Sequence, residues 1–513
     1  MQRSNGDFAD RRDGQRNSQE SEERIMHNDP IGFSRRETFA IAAGSLAAAG
    51  ISSAAIAAET NNSVDFIIVG AGFAGLTCAR ELRRAGRSVI VLEADNRVGG
   101  RTKPASLAGE TIDIGGQWVG PSQTHLLALA AAYGVKPVKQ YAEGENIIDI
   151  CGRMARYRGE TPALPPVDLA EFANAIVKLE TAAARLQPPR PWLAPEAAMW
   201  DAQTVESWML ANMTGDAPRE FLRGMVRAVM SSETADVSLL SLLAYVASAG
   251  GFQALIATRD GAQDSLFPGS VWQIAAKIAD ELGTSVILGS AVSRIEQDET
   301  GVSVTSERGR WRAKRIIVTV PPALAARISY SPILPALRDG LTQRMPLGSV
   351  IKVALAYATP FWRKQGLSGM VISDRTEFGP WFDRGTPLTR GGALVGFFDG
   401  APARRWADRT VADRRGRVLD DLALYFGEQA RHPVDYVEEV WSRSQFNRGG
   451  YVSVPGPGVL TGFGPALLDP VGRIHWAGTE TAEAWAGYID GAIRSGERAA
   501  REVIAAQSQA PQV

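Results

Sequence analysis

The sequence is poor in the residues that bind transition metals and form disulfides. Its 513 residues include two cysteines, Cys78 and Cys151, and four histidines. One disulfide is arithmetically possible, but both cysteines fall in segments that we interpret as interior elements, so we expect free thiols. So few soft ligands cannot build a zinc or iron–sulfur centre, and we expect no metal site.

The chain also lacks an excess of charge of either sign. The formal net charge is -1 at pH 7, so the chain as a whole has no net positive charge to attract nucleic acid or an anionic membrane. No apolar run of membrane-spanning length follows residue 60, so we expect no stable span in the mature protein. The length is too great for one compact core and predicts two or three domains.

The first sixty residues differ from the rest in composition. Residues 1–33 are polar and charged without a hydrophobic period, which is typical of disorder. Ser34–Phe39, with its Arg35-Arg36 pair, and the Ala/Gly-rich stretch after it resemble a bacterial twin-arginine export signal, with Ala55-Ile56-Ala57 as cleavage motif. A weak amphipathic or membrane-anchoring helix is the alternative. We predict a tail and signal peptide over 1–58, and a periplasmic or otherwise exported protein.

A strand, a glycine loop and a helix open the remaining sequence. Asp65–Val69 is a short apolar, β-branched run that predicts a buried parallel strand. Gly70-Ala71-Gly72-Phe73-Ala74-Gly75 follows, then a helical pattern up to Gly86 and a second strand, Ser88–Leu92. This order is the complete βαβ pattern of dinucleotide-binding proteins.

Each part of the pattern has a physical role. Gly70 makes a tight turn, Gly72 lets the backbone reach a pyrophosphate, and Gly75 lets the helix lie close to the strand. The helix N-terminus offers free N–H groups to phosphates. Glu93, at the end of the second strand, is expected to accept hydrogen bonds from ribose hydroxyls.

Two further glycine-rich segments indicate FAD rather than NAD. Arg97–Thr102 resembles the second glycine motif of FAD-dependent amine oxidases, in which an arginine fork can neutralise the pyrophosphate. Ile114–Gly120 resembles the segment that those enzymes place beneath the isoalloxazine. The combination and spacing of these segments are specific, although each alone is an ordinary glycine turn.

From about Val64 to Glu502 the chain resembles the flavin monoamine oxidase family. Three later stretches make the resemblance close. They are Pro346–Lys352 with Pro360–Lys364, Gly449-Gly450-Tyr451 with Pro457–Thr461, and Trp476–Thr481 with Trp485–Ala492. They are similar to the family's central substrate-domain strand, its active-site loop and its C-terminal flavin-binding signature.

The resemblance implies an α/β fold in which an α+β substrate domain is inserted into an FAD-binding, Rossmann-like domain of the glutathione-reductase type. The FAD-binding domain is expected in three pieces, 62–150, 262–322 and 440–505. The substrate domain is expected over 151–261 and 323–439. Residues 506–513 are interpreted as a polar tail.

The resemblance also implies the positions that contact the cofactor. They are Gly70, Gly72, Ala74, Gly75, Glu93, Arg101, Gly116, Gln117, Trp118, Val292, Trp441, Glu480 and Ile489. In mammalian-type members a cysteine just before the first active-site tyrosine attaches to the flavin. Here that position is Gly450, so we predict noncovalent FAD.

The family's chemistry implies three catalytic positions. Lys352 matches the lysine that holds a water against flavin N5, while Tyr451 and Tyr488 match the two rings that flank the amine. Gln263 and Ile256 match substrate-lining positions, and Met225 and Ala228 are further candidates for an apolar entrance.

We therefore predict oxidation of an amine to an imine by hydride transfer to FAD, with O2 or a c-type cytochrome as electron acceptor. An L-amino-acid oxidase is an alternative, with Arg448 and Arg227 as candidates to bind the carboxylate. A polyamine oxidase, with acidic residues at its entrance, is another alternative, and a flavin-stabilised binding protein without turnover is a third. The resemblance allows a homodimer.

Overall fold

The computed structural model describes residues 63–385 and 391–508. The predicted export signal lies outside these residues, and so does most of the predicted polar tail. In the described part of the chain, no helix combines the length and the apolar character needed to cross a membrane.

Strands and helices alternate along most of the described chain. The strands are β1 Ser63–Val69, β2 Val89–Leu92, β3 Pro104–Leu107, β4 Glu110–Asp113, β5 Trp118–Val119, β6 Val138–Lys139, β7 Glu145–Ile150, β8 Arg153–Tyr157, β9 Ser265–Leu266, β10 Val286–Ile287, β11 Val292–Gln297, β12 Val302–Ser306, β13 Gly309–Val318, β14 Ser329–Ser331, β15 Val350–Tyr357, β16 Leu367–Ser373, β17 Trp381–Asp383, β18 Gly392–Asp399, β19 Asp435–Val440 and β20 Ile474–Trp476. The helices are α1 Phe73–Arg84, α2 Thr124–Ala132, α3 Pro166–Ala183, α4 Ala197–Asp201, α5 Val205–Asn212, α6 Asp216–Met230, α7 Leu239–Ala249, α8 Phe252–Ile256, α9 Trp272–Leu282, α10 Pro322–Ala325, α11 Ala336–Thr342, α12 Phe361–Lys364, α13 Ala401–Trp406, α14 Val411–Phe426, α15 Val459–Phe463, α16 Pro465–Leu468 and α17 Ile489–Ser508.

The first sheet has a parallel centre. Strands β10, β2, β1 and β13 are parallel neighbours in that order, and β20 pairs in parallel with the end of β13. Strands β12 and β11 continue the sheet in antiparallel fashion, and β14 pairs in parallel with β11. The last four residues of β1, Phe66–Val69, are buried, as expected for a strand covered on both faces. The predicted βαβ unit is therefore present as β1, α1 and β2.

The second sheet surrounds a fully buried strand. Its order is β19-β15-β18-β17-β16-β7-β8, antiparallel except where β16 pairs with β7. All eight residues of β15 are buried, including Lys352 in its third position. Helices α3 to α8 pack into an apolar core that includes Leu179, Leu222 and Leu243. The two sheets and this helical layer form the α/β architecture that the sequence predicts.

Sheet membership departs from two of the predicted domain boundaries. Strand β7 belongs to the second sheet, although it falls in the predicted FAD-binding piece 62–150. Strand β14 belongs to the first sheet, although it falls in the predicted substrate piece 323–439. The strands that link them to these sheets, β16 for β7 and β11 for β14, are not their neighbours in the chain, so no local pattern assigns either strand to its sheet.

One element end and one burial prediction also differ. Helix α17 extends from Ile489 to Ser508, so its last turn takes in residues predicted as polar tail. Cys78 is buried in α1, whereas Cys151 is exposed in the turn between β7 and β8, so its predicted interior position is wrong. Both thiols are free.

Candidate active site

Four parallel strands of the first sheet end at the edge of one cavity. Gly70 follows β1, Glu93 follows β2, Thr319 follows β13 and Gly478 lies just beyond β20, and all four residues line the cavity. Its empty volume is about 1290 Å³, part of it open to solvent. Open parallel sheets bind their ligands at the carboxyl ends of the strands, so this first cavity is the expected nucleotide site.

Glycines keep the first cavity open. A Cβ atom built on Gly72 would meet no atom within 4 Å, and one on Gly100 would meet only the Gly72 Cα at 3.5 Å. A side chain at either position would extend into the space available to a ligand. Gly75 has a different role, because its Cβ would lie 2.0 Å from the Gly70 carbonyl oxygen. Gly75 lets α1 pack on β1 and does not line the cavity, so its predicted FAD contact is replaced by a packing role.

The N-terminus of α1 faces the same cavity. The first helical residues, Phe73 and Ala74, line it, and no described side chain caps the helix at Gly72. The free N–H groups and the positive end of the helix dipole favour an anion there. These features fit the pyrophosphate of a dinucleotide.

The Glu93 carboxylate is held by two backbone N–H groups at the edge of the first cavity. Its carboxylate accepts hydrogen bonds from the Ala71 N–H at 2.6 Å and from the Asp95 N–H at 2.8 Å. Burial raises the pKa of Glu93 despite these hydrogen bonds, which lower it. Each oxygen retains a lone pair, and the residue lines the cavity where ribose hydroxyls are expected.

The guanidinium of Arg101 is engaged by protein groups. It makes two hydrogen bonds to Glu480, at 2.7 and 3.1 Å, and a third to the Tyr451 carbonyl oxygen at 2.8 Å. Burial alone would raise the pKa of Glu480, but the charge and hydrogen bonds of Arg101 lower it. These bonds occupy one edge of the guanidinium and leave the Nε–H and one Nη2 N–H on the other edge, and Arg101 lines the first cavity. Glu480 lines neither this cavity nor the one described next, and it acts through Arg101.

A second cavity lies on the other side of a shared wall. Its lining is largely apolar and includes Met225, Ala228, Ile256, Met370 and Phe397. Seven residues line both cavities and define what we call the junction: Gly115, Gly116, Lys352, Tyr451, Gly487, Tyr488 and Ile489. The three residues predicted to be catalytic all lie at the junction.

Lys352 is a buried amine at the junction. Its Nζ donates to the Gly115 carbonyl oxygen at 2.8 Å and to Gln117 Oε1 at 2.6 Å. Burial lowers the pKa of Lys352 well below its ordinary value, although the Asp113 carboxylate opposes the shift. Asp113 is itself buried and accepts hydrogen bonds from the Ser270 hydroxyl and the Val271 N–H. A neutral amine at Lys352 could accept as well as donate a hydrogen bond.

The two junction tyrosines have different supports. The Tyr488 ring stacks on Tyr245 at 6.0 Å and meets the edge of Trp485 at 4.9 Å. The Tyr451 ring meets Phe397 edge-on at 6.0 Å. Burial raises the pKa of both junction tyrosines above the ordinary value, so their hydroxyls stay protonated.

The remaining predicted cofactor contacts divide between the cavities. Val292, Trp441 and Ile489 line the first cavity, as Ala74 and Gly116 do. Gln117 and Trp118 line the second cavity, next to the junction residues Gly115 and Gly116, and not the first. The side chain of Gln117 is turned there by its hydrogen bond to Lys352.

The sequence analysis missed several lining residues. Phe397 lies directly opposite Lys352 in the pairing of β15 with β18, and Tyr245 supports Tyr488 from α7. Phe446 and Asn447 add to the first cavity. The apolar run of β18, all of which is buried, was the available signal for Phe397, but identifying it requires the register between β15 and β18, which are remote in sequence.

The charged groups around the second cavity bear on the alternatives. Arg227 lines it, but Glu233 pairs with this guanidinium at 2.9 to 3.2 Å. Arg448 is exposed and lines neither cavity. No aspartate or glutamate is among the described residues of the lining. The predicted substrate-lining residues Gln263 and Ile256 are both present there, and Gln263 Nε2 donates to the Leu255 carbonyl oxygen at 3.1 Å.

Over residues 63–385 and 391–508, no cluster of three or more His, Cys, Asp and Glu side chains is arranged to hold a metal ion.

Comparison with known proteins identifies this architecture. Residues 73–504 match the model of a family described as flavin containing amine oxidoreductase. An L-amino acid dehydrogenase of Synechocystis sp. is 40% identical, over 86% of this chain and 95% of that protein. The structure of cyclohexylamine oxidase from Brevibacterium oxydans has a TM-score of 0.82 and 35% identity, covering 87% of this chain and 100% of that one. A putrescine oxidase bound to putrescine has a TM-score of 0.83 and 33% identity, covering 86% and 99%.

Proposed function

Since the chain belongs to the flavin containing amine oxidoreductase family and is an FAD-dependent amine oxidoreductase, we propose that it oxidises an apolar monoamine at the junction. The observation that supports this most directly is the position of Lys352, Tyr451 and Tyr488, which line both cavities. A reactive end of a cofactor in the first cavity and a substrate in the second would meet there. When bound, FAD accepts the hydride from the carbon beside the amine nitrogen.

We propose that the FAD is held without a covalent bond. Gly450 occupies the position of the attaching cysteine and lines the first cavity. Of the two thiols, Cys78 is buried in α1 and Cys151 is exposed in a turn of the second sheet, and neither residue lines the first cavity. The glycine surfaces at Gly72 and Gly100 and the N-terminus of α1 would bind the cofactor instead.

The charges of the second cavity support a monoamine over a diamine. A second ammonium group would need a carboxylate partner once removed from water. The described lining provides aromatic, aliphatic and amide side chains and no carboxylate. Putrescine, which is bound in the structure of one relative, has such a second amine.

The same charges support an amine over an amino acid. A substrate carboxylate would need a free cation. Arg227 is already paired with Glu233, and Arg448 lies away from the lining. In the L-amino-acid alternative, a substrate carboxylate at the Nη1 edge of Arg227 would share a cation whose charge Glu233 already neutralises.

The junction residues have distinct proposed roles. The Tyr451 and Tyr488 rings orient the amine between their faces. Lys352 holds a water molecule near the reacting end of the cofactor, using the same buried amine that contacts Gln117. The apolar lining excludes other water and so favours the neutral amine. We propose O2 as the electron acceptor on the basis of Lys352, and a cytochrome is the alternative to compare in reoxidation rates.

Anaerobic stopped-flow measurement of flavin bleaching tests the substrate class. The matched substrates are cyclohexylamine, 1,4-diaminobutane and L-cyclohexylglycine, which adds a carboxylate to the carbon bearing the amine. We expect the monoamine to reduce the flavin faster than either charged substrate by on the order of tenfold or more, because neither extra charge has a free partner. Faster reduction by the amino acid would establish the alternative, and bleaching by none of a broad amine panel would favour a binding protein.

A further inference from the structure

A buried carboxyl group lies behind Tyr451, away from both cavities. Asp399 is the last residue of β18 and is 2% exposed. Its Oδ1 accepts a hydrogen bond from the Ser231 hydroxyl at 2.9 Å. Ser231 follows α6 in a left-handed conformation, with φ of 51°, which directs its hydroxyl toward the end of β18. Asp399 lines neither cavity.

The second oxygen of Asp399, Oδ2, is buried and accepts no hydrogen bond from the described residues. The hydroxyl of Tyr451 lies within hydrogen-bonding reach of both Asp399 and Ser231. An unpartnered carboxyl oxygen in a buried position is unfavourable, so the phenolic O–H is the group placed to donate to it.

The buried surroundings favour a neutral Asp399. Burial raises the pKa of Asp399 well above its ordinary value, although the hydroxyls of Ser231 and Tyr451 and the charge of Arg227 lower it. Glu233 adds a further raising effect. A neutral carboxylic acid can accept from one hydroxyl while donating to another group.

The other contacts of Tyr451 are at its backbone and at its ring. Its carbonyl oxygen is held by Arg101 at 2.8 Å, and Phe397 meets its ring edge-on. Neither contact involves the hydroxyl. We propose that Asp399 is a positioning residue that keeps the Tyr451 ring at the junction by satisfying its hydroxyl, which would otherwise turn the ring toward another partner. This inference rests on the proposed role of Tyr451 as a substrate-orienting ring.

The test is a double-mutant cycle between Asp399→Leu and Tyr451→Phe, read as the rate of flavin reduction in fully FAD-loaded enzyme. In Asp399→Leu the Tyr451 hydroxyl loses its carboxyl partner and keeps only Ser231 within reach, so the ring is expected to turn toward Ser231 and flavin reduction to slow about tenfold or more. In the Tyr451→Phe background no hydroxyl needs a partner. Asp399→Leu should then change the rate less than about twofold, so that Tyr451→Phe rescues it.

A smaller replacement keeps the test decisive if Asp399→Leu folds poorly: Asp399→Ala removes the same carboxyl and takes the place of Asp399→Leu in the cycle with the same expected rates. Asp399→Asn retains an acceptor and should stay within about threefold of wild type. Asp421→Asn removes another buried carboxyl, in α14 and outside the lining of both cavities, and should alter thermal stability but not flavin reduction. Equal slowing by Asp399→Leu, or by Asp399→Ala, in the Tyr451 and Tyr451→Phe backgrounds would overturn the proposal. Normal reduction in Tyr451→Leu would instead overturn the proposed role of Tyr451 itself.

Discussion

The Nζ atom of Lys352 donates to Oε1 of Gln117 at 2.6 Å. This contact joins the buried strand β15 to the glycine-rich segment at 115–120 and brings an amine to the place where the two cavities meet. Because the amine has no carboxylate within ion-pair distance in the described residues, its burial penalises the charged form. This penalty on the charged amine should be measurable as a pH dependence of the stability of the folded protein.

Lys352 should make stability depend on pH. Its pKa in the folded chain is lowered below the ordinary 10.5, so between these two values the unfolded chain binds a proton that the folded chain does not. Stability therefore rises with pH across that window, by up to about 1.4 kcal/mol per pH unit. Lys352→Met should lack this rise, whereas the exposed Lys136→Met should keep it. Parallel melting curves for wild type and Lys352→Met at every pH would show that the buried amine is not penalised.

Gly72 and Gly75 form a matched pair for the cofactor site. In Gly72→Ala the new methyl group has no neighbour within 4 Å and extends into the first cavity. We expect a folded protein that binds FAD at least about tenfold more weakly. In Gly75→Ala the methyl group meets the Gly70 carbonyl oxygen at 2.0 Å, so we expect loss of folding. Melting temperature and FAD titration separate the two effects. Unchanged FAD affinity in Gly72→Ala would mean that the pyrophosphate does not bind next to Gly72.

The flavin should be released from the denatured protein. Gly450 supplies no thiol, so acid or heat precipitation is expected to leave yellow FAD in the supernatant. The absorbance spectrum and mass of the released compound identify it. Colour that remains in the washed pellet, with a matching mass increase of the chain, would mean that another side chain forms the bond.

Export should depend on Arg35 and Arg36. We expect Arg35→Lys with Arg36→Lys to keep the protein in the cytoplasm of a host that has the twin-arginine pathway. The second arginine pair, Arg11-Arg12, is the matched control, and its replacement by lysines should not change export. Mass spectrometry of the exported form should place cleavage after Ala57. Equal extracytoplasmic activity in both double variants would refute the predicted signal.

Sequence patterns predicted the elements that depend only on residues close together in the chain. The β1–α1–β2 unit follows from an apolar run, three glycines and a helical pattern, and the buried Lys352 follows from the apolar run around it. The pairing of Arg101 with Glu480 joins residues 379 positions apart, so no local pattern predicts the carboxylate that orients this guanidinium. Likewise, the face on which Gln117 and Trp118 lie depends on contacts with β15 that no local spacing reveals. Asp399 shows the same limit, since its importance comes from the tyrosine it faces across the fold.

The central claim concerns the two junction tyrosines. If they only packed the core, replacing one should cost stability, typically about 3–5 kcal/mol for a large-to-alanine change, and activity would follow the folded fraction. If they orient the amine, Tyr→Phe keeps the ring face and should be mild. Tyr→Leu removes that face and should slow flavin reduction well beyond any loss of folding. Tyr425→Leu removes a buried ring outside both cavities and controls for packing.

The most direct measurement is anaerobic flavin reduction by a good monoamine in Tyr451→Leu and Tyr488→Leu, with FAD content and melting temperature recorded for each. We expect fully FAD-loaded Leu variants to be reduced at least about tenfold more slowly than wild type, while Tyr425→Leu reduces at the wild-type rate per bound flavin. Wild-type reduction rates in the FAD-loaded Tyr451→Leu and Tyr488→Leu enzymes would contradict the account.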